Sequence, residues 1–303
     1  MKIVSVIIPT FRRTDMLFYE LDKLFEQKGV SLDVIVVNDD IKDDPTDEIT
    51  NKYPSVTYIK SKKKIGPGQK HQLGYKLAKG EYVSFPDDDD YLVDDHFFYK
   101  AVNKLEEIKS LSFVSGNGYI RYEDEKGQEI KLEKEKLNVS GFYEGIDFLE
   151  NLGGKYDKPL STFPTVFRKK SLDNQNFLNQ IEMSDLSIYF LALLGGDAYI
   201  MDDYVGVYRV HGQSLTTKKS SPIWILNVLR QKEYIYKKIK NVIKEPDIWW
   251  LKHYFITYRF YANTSKNRIA KIKLLLWGLF HSKMSKSFLV CFLKEFCHII
   301  INR

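Results

Sequence analysis

Cysteine is scarce. Cys291 and Cys297 are the only two in 303 residues, which excludes a disulfide-stapled scaffold. No C-x-x-C or Cys/His spacing offers a zinc site. Long apolar runs are missing as well: no stretch of about 18 uncharged apolar residues occurs, so no membrane-spanning helix is expected. The opening MKIVSVIIPT runs into FRRTD where a secretory leader would carry a small-residue cleavage site, and a reducing cytoplasm is the expected compartment. Glycine all but vanishes after Ile223, where Gly278 stands alone, and no internal repeat is present. What is there is ordinary for a globular chain: 44% hydrophobic and 28% charged residues exclude disorder and collagen-like sequence. Aromatics reach 14% and thicken towards the C-terminus. The net charge of +6 hides a split, because Pro222 to Arg303 holds 16 Lys and Arg against 4 Asp and Glu while the preceding body is net acidic.

The first hundred residues alternate in the βα manner. The run Ile3 to Ile8, broken only by Ser5 and stopped by Pro9, suits a buried parallel strand. Thr14 or Asp15 is placed to cap a helix whose Leu17, Phe18, Leu21, Leu24 and Phe25 share one face, with Gly29 at its end. Strands follow at Val34 to Val37 and Val56 to Ile59, then a helix from Gln69 to Ala78 closed by Gly80. A strand from Tyr82 to Phe85 runs into PDDDDY, a helix covers Asp95 to Ile108, and a fifth strand spans Leu111 to Val114. Strands separated by helices predict an α/β fold with a mostly parallel, doubly wound sheet. Beyond it, Tyr119 to Lys136 reads as a hairpin or mobile excursion, Gly145 to Leu152 and Asp185 to Leu194 as helices, and Phe163 to Arg168, Tyr199 to Met201 and Val205 to Tyr208 as strands. A boundary is expected near Ser220 to Pro222, after which helix formers dominate.

In an open α/β sheet, ligands bind at the carboxyl ends of the strands. Three such ends are polar together: Pro9-Thr10-Phe11-Arg12-Arg13, Asn38-Asp39-Asp40, and Asp87-Asp88-Asp89-Asp90. Four adjacent carboxylates repel one another unless a cation joins them. A solvated acidic turn capping the next helix is the plain alternative for such a run. Its place directly after a buried strand favours a hard divalent cation, Mg²⁺ or Mn²⁺, sharing its shell with phosphate. The piece Gly66-Pro67-Gly68-Gln69-Lys70-His71-Gln72-Leu73-Gly74 is neither the dinucleotide fingerprint nor a P-loop, since its third glycine would fall at His71 and no GK[ST] occurs. It reads as a glycine loop at a helix N-terminus, with Lys70 and His71 towards a diphosphate or, equally for Lys70, a solvated turn.

VSVIIPTFRR, VIVVNDD and GEYVSFPDDDDYL, in that order and spacing, resemble the family 2 glycosyltransferases of the GT-A fold over roughly the first 120 residues. A fainter similarity, in IEMSDLS and VYRVHGQSLT, reaches about residue 217. The resemblance implies a nucleotide-sugar-binding and catalytic domain over 1–220, followed by a basic, aromatic-rich helical region over 221–303. It implies that Pro9, Thr10 and Phe11 line the nucleotide site with Arg13 nearby, and that Asp39 accepts a base N–H of uracil. Asp87 and Asp89 would form the DxD pair, Asp89 binding metal directly and Asp87 or Asp88 lying near the ribose. Asp185 would be the catalytic base, a position that also suits a helix N-cap, and Glu182 would meet acceptor hydroxyls. His211 would approach the diphosphate or the metal; a buried, carbonyl-bonded histidine is the plain alternative. Two positions depart from the usual pattern: His71-Gln72 stands where Arg-Asn is common, and the acidic pair is spread as Glu182-Met183-Ser184-Asp185.

These roles imply a metal-dependent inverting transferase that moves a sugar from a UDP-sugar to a saccharide or lipid-linked saccharide in surface polysaccharide synthesis. Transfer of this kind needs neutralisation of a leaving diphosphate and a base at the acceptor hydroxyl. The rivals are a sugar nucleotidylyltransferase, whose GxG(T/S)R loop is replaced here by PTFRRTD, and a nucleotide-sugar-binding scaffold without catalysis. In the basic tail, IWWLKHYFITYRFY and KIKLLLWGLFHSKMSKSFLVCFLKEFCHIIINR admit an anionic membrane surface or a homo-oligomer contact. Nucleic acid is not expected, because no nucleic-acid-binding motif accompanies the charge.

Overall fold

The computed structural model describes residues 2–40, 42, 45–212, 221–282 and 285–301. The chain divides into two compact units, Met1–Ser214 and Leu215–Arg303. The expected boundary at 220–222 adjoins residues 213–220, which lie outside the described residues together with the end of the VYRVHGQSLT segment.

In the first unit, β1 (Ile3–Thr10), α1 (Thr14–Phe25), β2 (Ser31–Asn38), α2 (Thr46–Lys52), β3 (Thr57–Lys60), α3 (Pro67–Leu77) and β4 (Tyr82–Ser84) follow the βα alternation. Then come β5 (Tyr91–Leu92), α4 (Phe97–Glu107), β6 (Leu111–Glu123), β7 (Glu129–Glu135), β8 (Gly141–Tyr143) and α5 (Gly145–Asn151). The unit ends with β9 (Thr165–Arg168), α6 (Lys169–Asn174), a 3₁₀ turn at Phe177–Asn179, α7 (Asp185–Gly195) and β10 (Asp197–Val210). The strands form one sheet in the order β3-β2-β1-β4-β9-β6-β10-β5, with β7 on β6 and β8 on β10. Pairing is parallel across β3-β2-β1-β4 and between β6 and β10. It is antiparallel where β9 lies between β4 and β6, and along β5, β7 and β8. This is the mixed α/β sheet of the GT-A fold.

Both faces of β1 are covered, as its continuous apolar run requires. Val4, Val6 and Ile8 join Leu17, Leu21 and Leu24 of α1 and Phe97, Phe98 and Leu105 of α4 in one core. On the other face α3 presses close: a Cβ at Gly74 would stand 2.4 Å from Ile7 Cγ2, so only glycine fits. Ser5, the polar break in the run, donates to Asp33 Oδ2 at 2.6 Å and accepts from Gly80 N at 2.8 Å. The hairpin expected over Tyr119 to Lys136 is β6–β7, turning at Asp124 to Gln128 with Gly127 at φ +76°. Strand β10 is a single 14-residue strand where two short ones are expected; register shifts between Ile200 and Gly206 absorb the polar Asp202-Asp203. Helix α1 begins at Thr14, with Arg13 rather than Thr14 or Asp15 at its N-cap; a guanidinium has no acceptor for the helix N–H groups, so there is no side-chain cap, and Arg13 donates to the acidic run instead.

The second unit is helical: α8 (Pro222–Ile239), α9 (Pro246–Thr264), α10 (Arg268–His281) and α11 (Lys286–Ile301). Its core is aromatic, with Tyr254 against Trp250, Trp277 and Phe288. Gly278 lets α10 approach α9, since a Cβ there would meet the Tyr254 ring at 2.3 Å. No described helix is long and apolar enough to cross a membrane.

Candidate functional site

Parallel pairing brings the ends of β1, β2 and β4 to one edge: Thr10 pairs with Asn38, and β4 leads through Phe85 and Pro86 into the acidic run. The chain leaves β1 through Arg12 at φ +59°, a left-handed conformation uncommon outside glycine. Arg12 Nε then reaches Asp40 Oδ2 at 2.6 Å and holds that carboxyl below its usual range.

The four aspartates are held differently. Asp88 turns inward to the end of β1, accepting from Thr10 Oγ1 at 2.7 Å, Phe11 N at 3.3 Å and Arg13 Nη1 at 2.8 Å. Asp89 takes the same Arg13 nitrogen at 2.6 Å, and His211 Nε2 lies 2.9 Å from its Oδ2. One guanidinium nitrogen therefore bridges two carboxylates. Asp90 accepts from Arg209 N at 3.2 Å through Oδ1, while its buried Oδ2 has no partner among the described residues. Asp87, Asp89 and Asp90 each offer an oxygen, all within 4.8 Å of one another. Burial, then the charges of Asp89, Asp185 and Asp88, push the Asp87 carboxyl well above its usual range. Burial, Asp89 and Asp87 do the same to Asp90. Burial also raises Asp88 against the pull of Arg13.

An orphaned buried oxygen, three converging carboxylates and an adjoining imidazole form a hard donor set that fits Mg²⁺ or Mn²⁺.

Asp39 is buried at the end of β2. Its Oδ2 accepts from Ile65 N at 2.9 Å and Gly66 N at 2.8 Å, and its Oδ1 from Lys70 Nζ at 2.9 Å. A carboxylate has about four acceptor positions, so one remains for a ligand donor. Lys70 also donates to Thr10 O at 2.7 Å, so its charge is buried at the join of β1 and β2 rather than solvated. His71 is buried too. Burial holds it at about 4, below the ordinary 6.5, with Asp185 raising it and Lys70 lowering it. It is neutral at pH 7, and its Nε2 has no hydrogen-bond partner among the described residues. Lys70 is thus paired inside the protein rather than part of the solvated turn weighed for it, and His71 lies neutral beside it. Exposed cations nearby include Lys64, with Nζ 4.5 Å from the Phe11 ring centroid, and Arg12, with Cζ 4.9 Å from it.

Asp185 is the first residue of α7, not its cap. Ser184 caps the helix in a reciprocal box with Ser187, because the shorter serine hydroxyl reaches the Ser187 N–H. The Asp185 carboxylate is partly exposed and 3.7 Å from Lys158 Nζ. Its charge bears on Asp87, His71 and Tyr208, so it faces the acidic run. Glu182 lies before α7, against the start of α3: a Cβ at Gly68 would lie 3.2 Å from Glu182 Oε1.

Three site features escape the sequence reading. Asp90 belongs to the acidic run, but a D-x-D pattern selects Asp87 and Asp89 and leaves it without a role. Glu20 is buried on α1 with neither oxygen partnered among the described residues; burial, then Asp88 and Asp89, push it well above the usual carboxylate range. Its signal was a charge inside the Leu17, Leu21, Leu24 stripe. Lys64 belongs to the basic run just before the glycine loop.

The family model described as glycosyl transferase family 2 matches residues 5–177. The chain belongs to glycosyltransferase family 2. It is therefore a transferase, which sets aside the nucleotidylyltransferase and the non-catalytic scaffold. An uncharacterized glycosyltransferase of Rickettsia bellii is 33% identical over 231 residues, 70% of this chain but only 29% of the relative's length. A Campylobacter jejuni GalNAc(5)-diNAcBac-PP-undecaprenol β-1,3-glucosyltransferase is 25% identical over 283 residues, 91% of this chain and 88% of its own. Among solved structures, S. aureus TarS 1-349 in complex with UDP-GlcNAc superimposes with a TM-score of 0.68 at 18% identity. It covers 93% of this chain and 82% of that one, and at this identity the likeness speaks for the fold.

Proposed function

We propose that this family 2 glycosyltransferase transfers a sugar with inversion from a UDP-sugar to a saccharide or lipid-linked saccharide, dependent on a divalent cation. The observation carrying the reading is the convergence of Asp87, Asp89 and Asp90 at the strand ends, with one buried oxygen unpartnered among the described residues. UDP-GlcNAc in the TarS structure supports the donor class, and the lipid diphosphate in the Campylobacter enzyme's name supports the acceptor class.

Asp87, Asp89 and Asp90, with His211 beside them, would hold Mn²⁺ or Mg²⁺, which when bound neutralises charge on the donor diphosphate. Thr10 and Phe11 flank the nucleotide, and Asp39 offers its remaining acceptor position to the base. Asp88 is a positioning residue that ties the acidic run to β1. Asp185 takes the proton of the acceptor hydroxyl as that oxygen bonds to the anomeric carbon and the bond to UDP breaks. One displacement inverts the centre, as in single-displacement glycoside chemistry. The catalytic domain is the first unit. The second lies against anionic membrane from the inner face, a reading supported by exposed Ile269, Phe280 and Leu293 among its lysines.

The test is UDP release and UDP binding in Mn²⁺ and in EDTA, for wild type and Asp89→Ala. The variant should lose transfer and the metal dependence of UDP binding. Full turnover by the variant, or by wild type in EDTA, would refute the reading.

A further inference from the structure

The segment that leads into β9 ties two parts of the site together. Thr162 Oγ1 donates to Phe85 O at 2.6 Å, at the end of β4 just before the acidic run. Ser161 O accepts from the Tyr189 hydroxyl of α7 at 2.7 Å. Ser161 and Thr162 are buried, so water does not compete for these bonds. The segment is thereby fixed both to the strand that feeds the aspartates and to the helix that begins with Asp185. Lys158 stands at its start, and its ammonium is itself held. Nζ donates to Pro159 O at 2.7 Å and to Leu160 O at 3.4 Å. An ammonium has three N–H donors, so one remains. Asp185 Oδ2 lies 3.7 Å from the same nitrogen, within ion-pair reach. The Tyr189 ring centroid is 5.8 Å from it. Asp185 and Tyr189 are four residues apart on α7 and share one helix face, which Lys158 covers.

Stability does not account for this arrangement. The Lys158 and Asp185 side chains are 28% and 42% exposed, and ion pairs open to water contribute little to folding. Orientation accounts for it better. A carboxylate turns about a broad, two-fold χ2 profile, so an unheld one presents either oxygen in many directions. The charges of Asp87 and Asp185 also act on each other, which pushes Asp185 away from the acidic run unless a cation holds it. A lysine pinned by two carbonyls is such a cation, because its position is set by its own backbone. With Oδ2 beside Lys158, Oδ1 accepts no hydrogen bond among the described residues. One oxygen is engaged and the other is open to a hydroxyl.

We propose that Lys158 is a positioning residue for Asp185, holding one oxygen of its carboxylate so that the other is presented to the acceptor hydroxyl. This rests on the reading of Asp185 as the base. Lys158 itself neither takes nor gives the proton.

The experiment uses the full chain in Mn²⁺ and reads UDP release, with UDP-GlcNAc, UDP-glucose and UDP-galactose as donor probes and water as the acceptor. Lys158→Met and Lys158→Gln should each lower kcat at least about tenfold, since a misplaced catalytic group costs about that or more. Donor KM, Mn²⁺-dependent UDP binding and the melting temperature should stay near wild type. Lys158→Arg keeps the cation and should restore most of the rate. In the Asp185→Asn background, Lys158→Met should cost nothing further, because a residue that acts through another falls silent once the other is gone. An equal loss with and without the Asp185 carboxylate would overturn the proposal and mark a direct contact of Lys158 with substrate. So would wild-type kcat in both neutral variants, or a kcat loss accompanied by lost UDP binding, which marks a structural role. Asp185→Asn at wild-type turnover, or no UDP release by wild type from any donor, would instead overturn the reading of the site on which the proposal stands. Asp185→Asn inactive with both neutral Lys158 variants active overturns the proposal alone.

Discussion

Adjacent aspartates in one acidic run should respond oppositely to neutralisation. Asp88 accepts three hydrogen bonds and is buried, so Asp88→Ala leaves Thr10 Oγ1 and Phe11 N without their partner and removes one of the two carboxylates on Arg13. A buried donor left unpaired costs about 1–3 kcal/mol, and a hydrogen bond to a charged group contributes about 1.5–3. Relief of repulsion from Asp87, Asp89 and Asp90 offsets part of this, leaving a net loss of about 2–3 kcal/mol. At about 2–4 °C per kcal/mol for a domain of about 150–250 residues, the melting temperature should fall by about 4–12 °C. Asp90→Asn keeps the acceptor for Arg209 N and removes a charge that burial and its neighbours disfavour. In EDTA at pH 8 it should stabilise by on the order of 1 kcal/mol, which is about one pKa interval of charging cost. Saturating Mn²⁺ should invert the comparison. Wild type would gain by mass action, about 2.7 kcal/mol at a concentration 100-fold above Kd, while Asp90→Asn gains less. Differential scanning calorimetry of three proteins in EDTA and in Mn²⁺ decides it. If Asp88→Ala and Asp90→Asn shift the melting temperature in the same direction in EDTA, the assignment of Asp88 as an anchor and Asp90 as an unsatisfied acid is wrong.

Two further expectations are open to measurement. Asp185→Asn keeps the shape at the start of α7, whose cap is Ser184, so folding should hold while kcat falls by about 10²–10⁴-fold and UDP affinity is unchanged; Glu182→Gln should mainly raise the acceptor KM, and the opposite pattern would move the base to Glu182. Lys232 is buried on α8, donates to His253 O, and is depressed by burial from 10.5 to about 7. The unfolded lysine holds a proton between about pH 7 and 10.5 that the folded one releases, so wild-type stability rises with pH through that window. Lys232→Met should therefore raise the melting temperature most at pH 7 and progressively less towards pH 10, with Thr257 Oγ1 still bonded to His253 O at 3.2 Å; a pH-independent gain would refute it.

The elements legible in the sequence are those whose physics is local. The runs in β1, β2 and β4 are continuous and apolar because both sheet faces are covered, and the polar residues that stop them mark the binding edge. Where long-range pairing decides, the sequence is silent. β6 continues past Val114 through Ser115 to Glu123, although Gly116, Asn117 and Gly118 read as a break. Those glycines serve close approach instead: a Cβ at Gly116 would lie 2.7 Å from Val205 Cγ1, and one at Gly118 3.1 Å from Leu160 Cδ2. The antiparallel insertion of β9 between β4 and β6 has no periodicity signal at all, since Thr165–Arg168 is four residues long.

Within the site, the residue types were legible but the division of labour among them was not. Four consecutive aspartates look equivalent on paper. Backbone direction separates them, and a turn after a strand sends successive side chains different ways. Asp88 goes inward to hydrogen-bond donors, while Asp87, Asp89 and Asp90 converge with fewer protein donors than acceptor positions. The same deficit of donors extends to Glu20, buried on α1 without a side-chain partner among the described residues. Arg13 is the chief compensating cation in contact with the run, and one nitrogen of it serves both Asp88 and Asp89. An interior that gathers this much negative potential around one guanidinium is less stable by itself than with a divalent cation added. The electrostatic imbalance, more than the D-x-D spelling, is the physical argument for the metal dependence we propose. It also explains why neutralising single members of the run should have opposite effects.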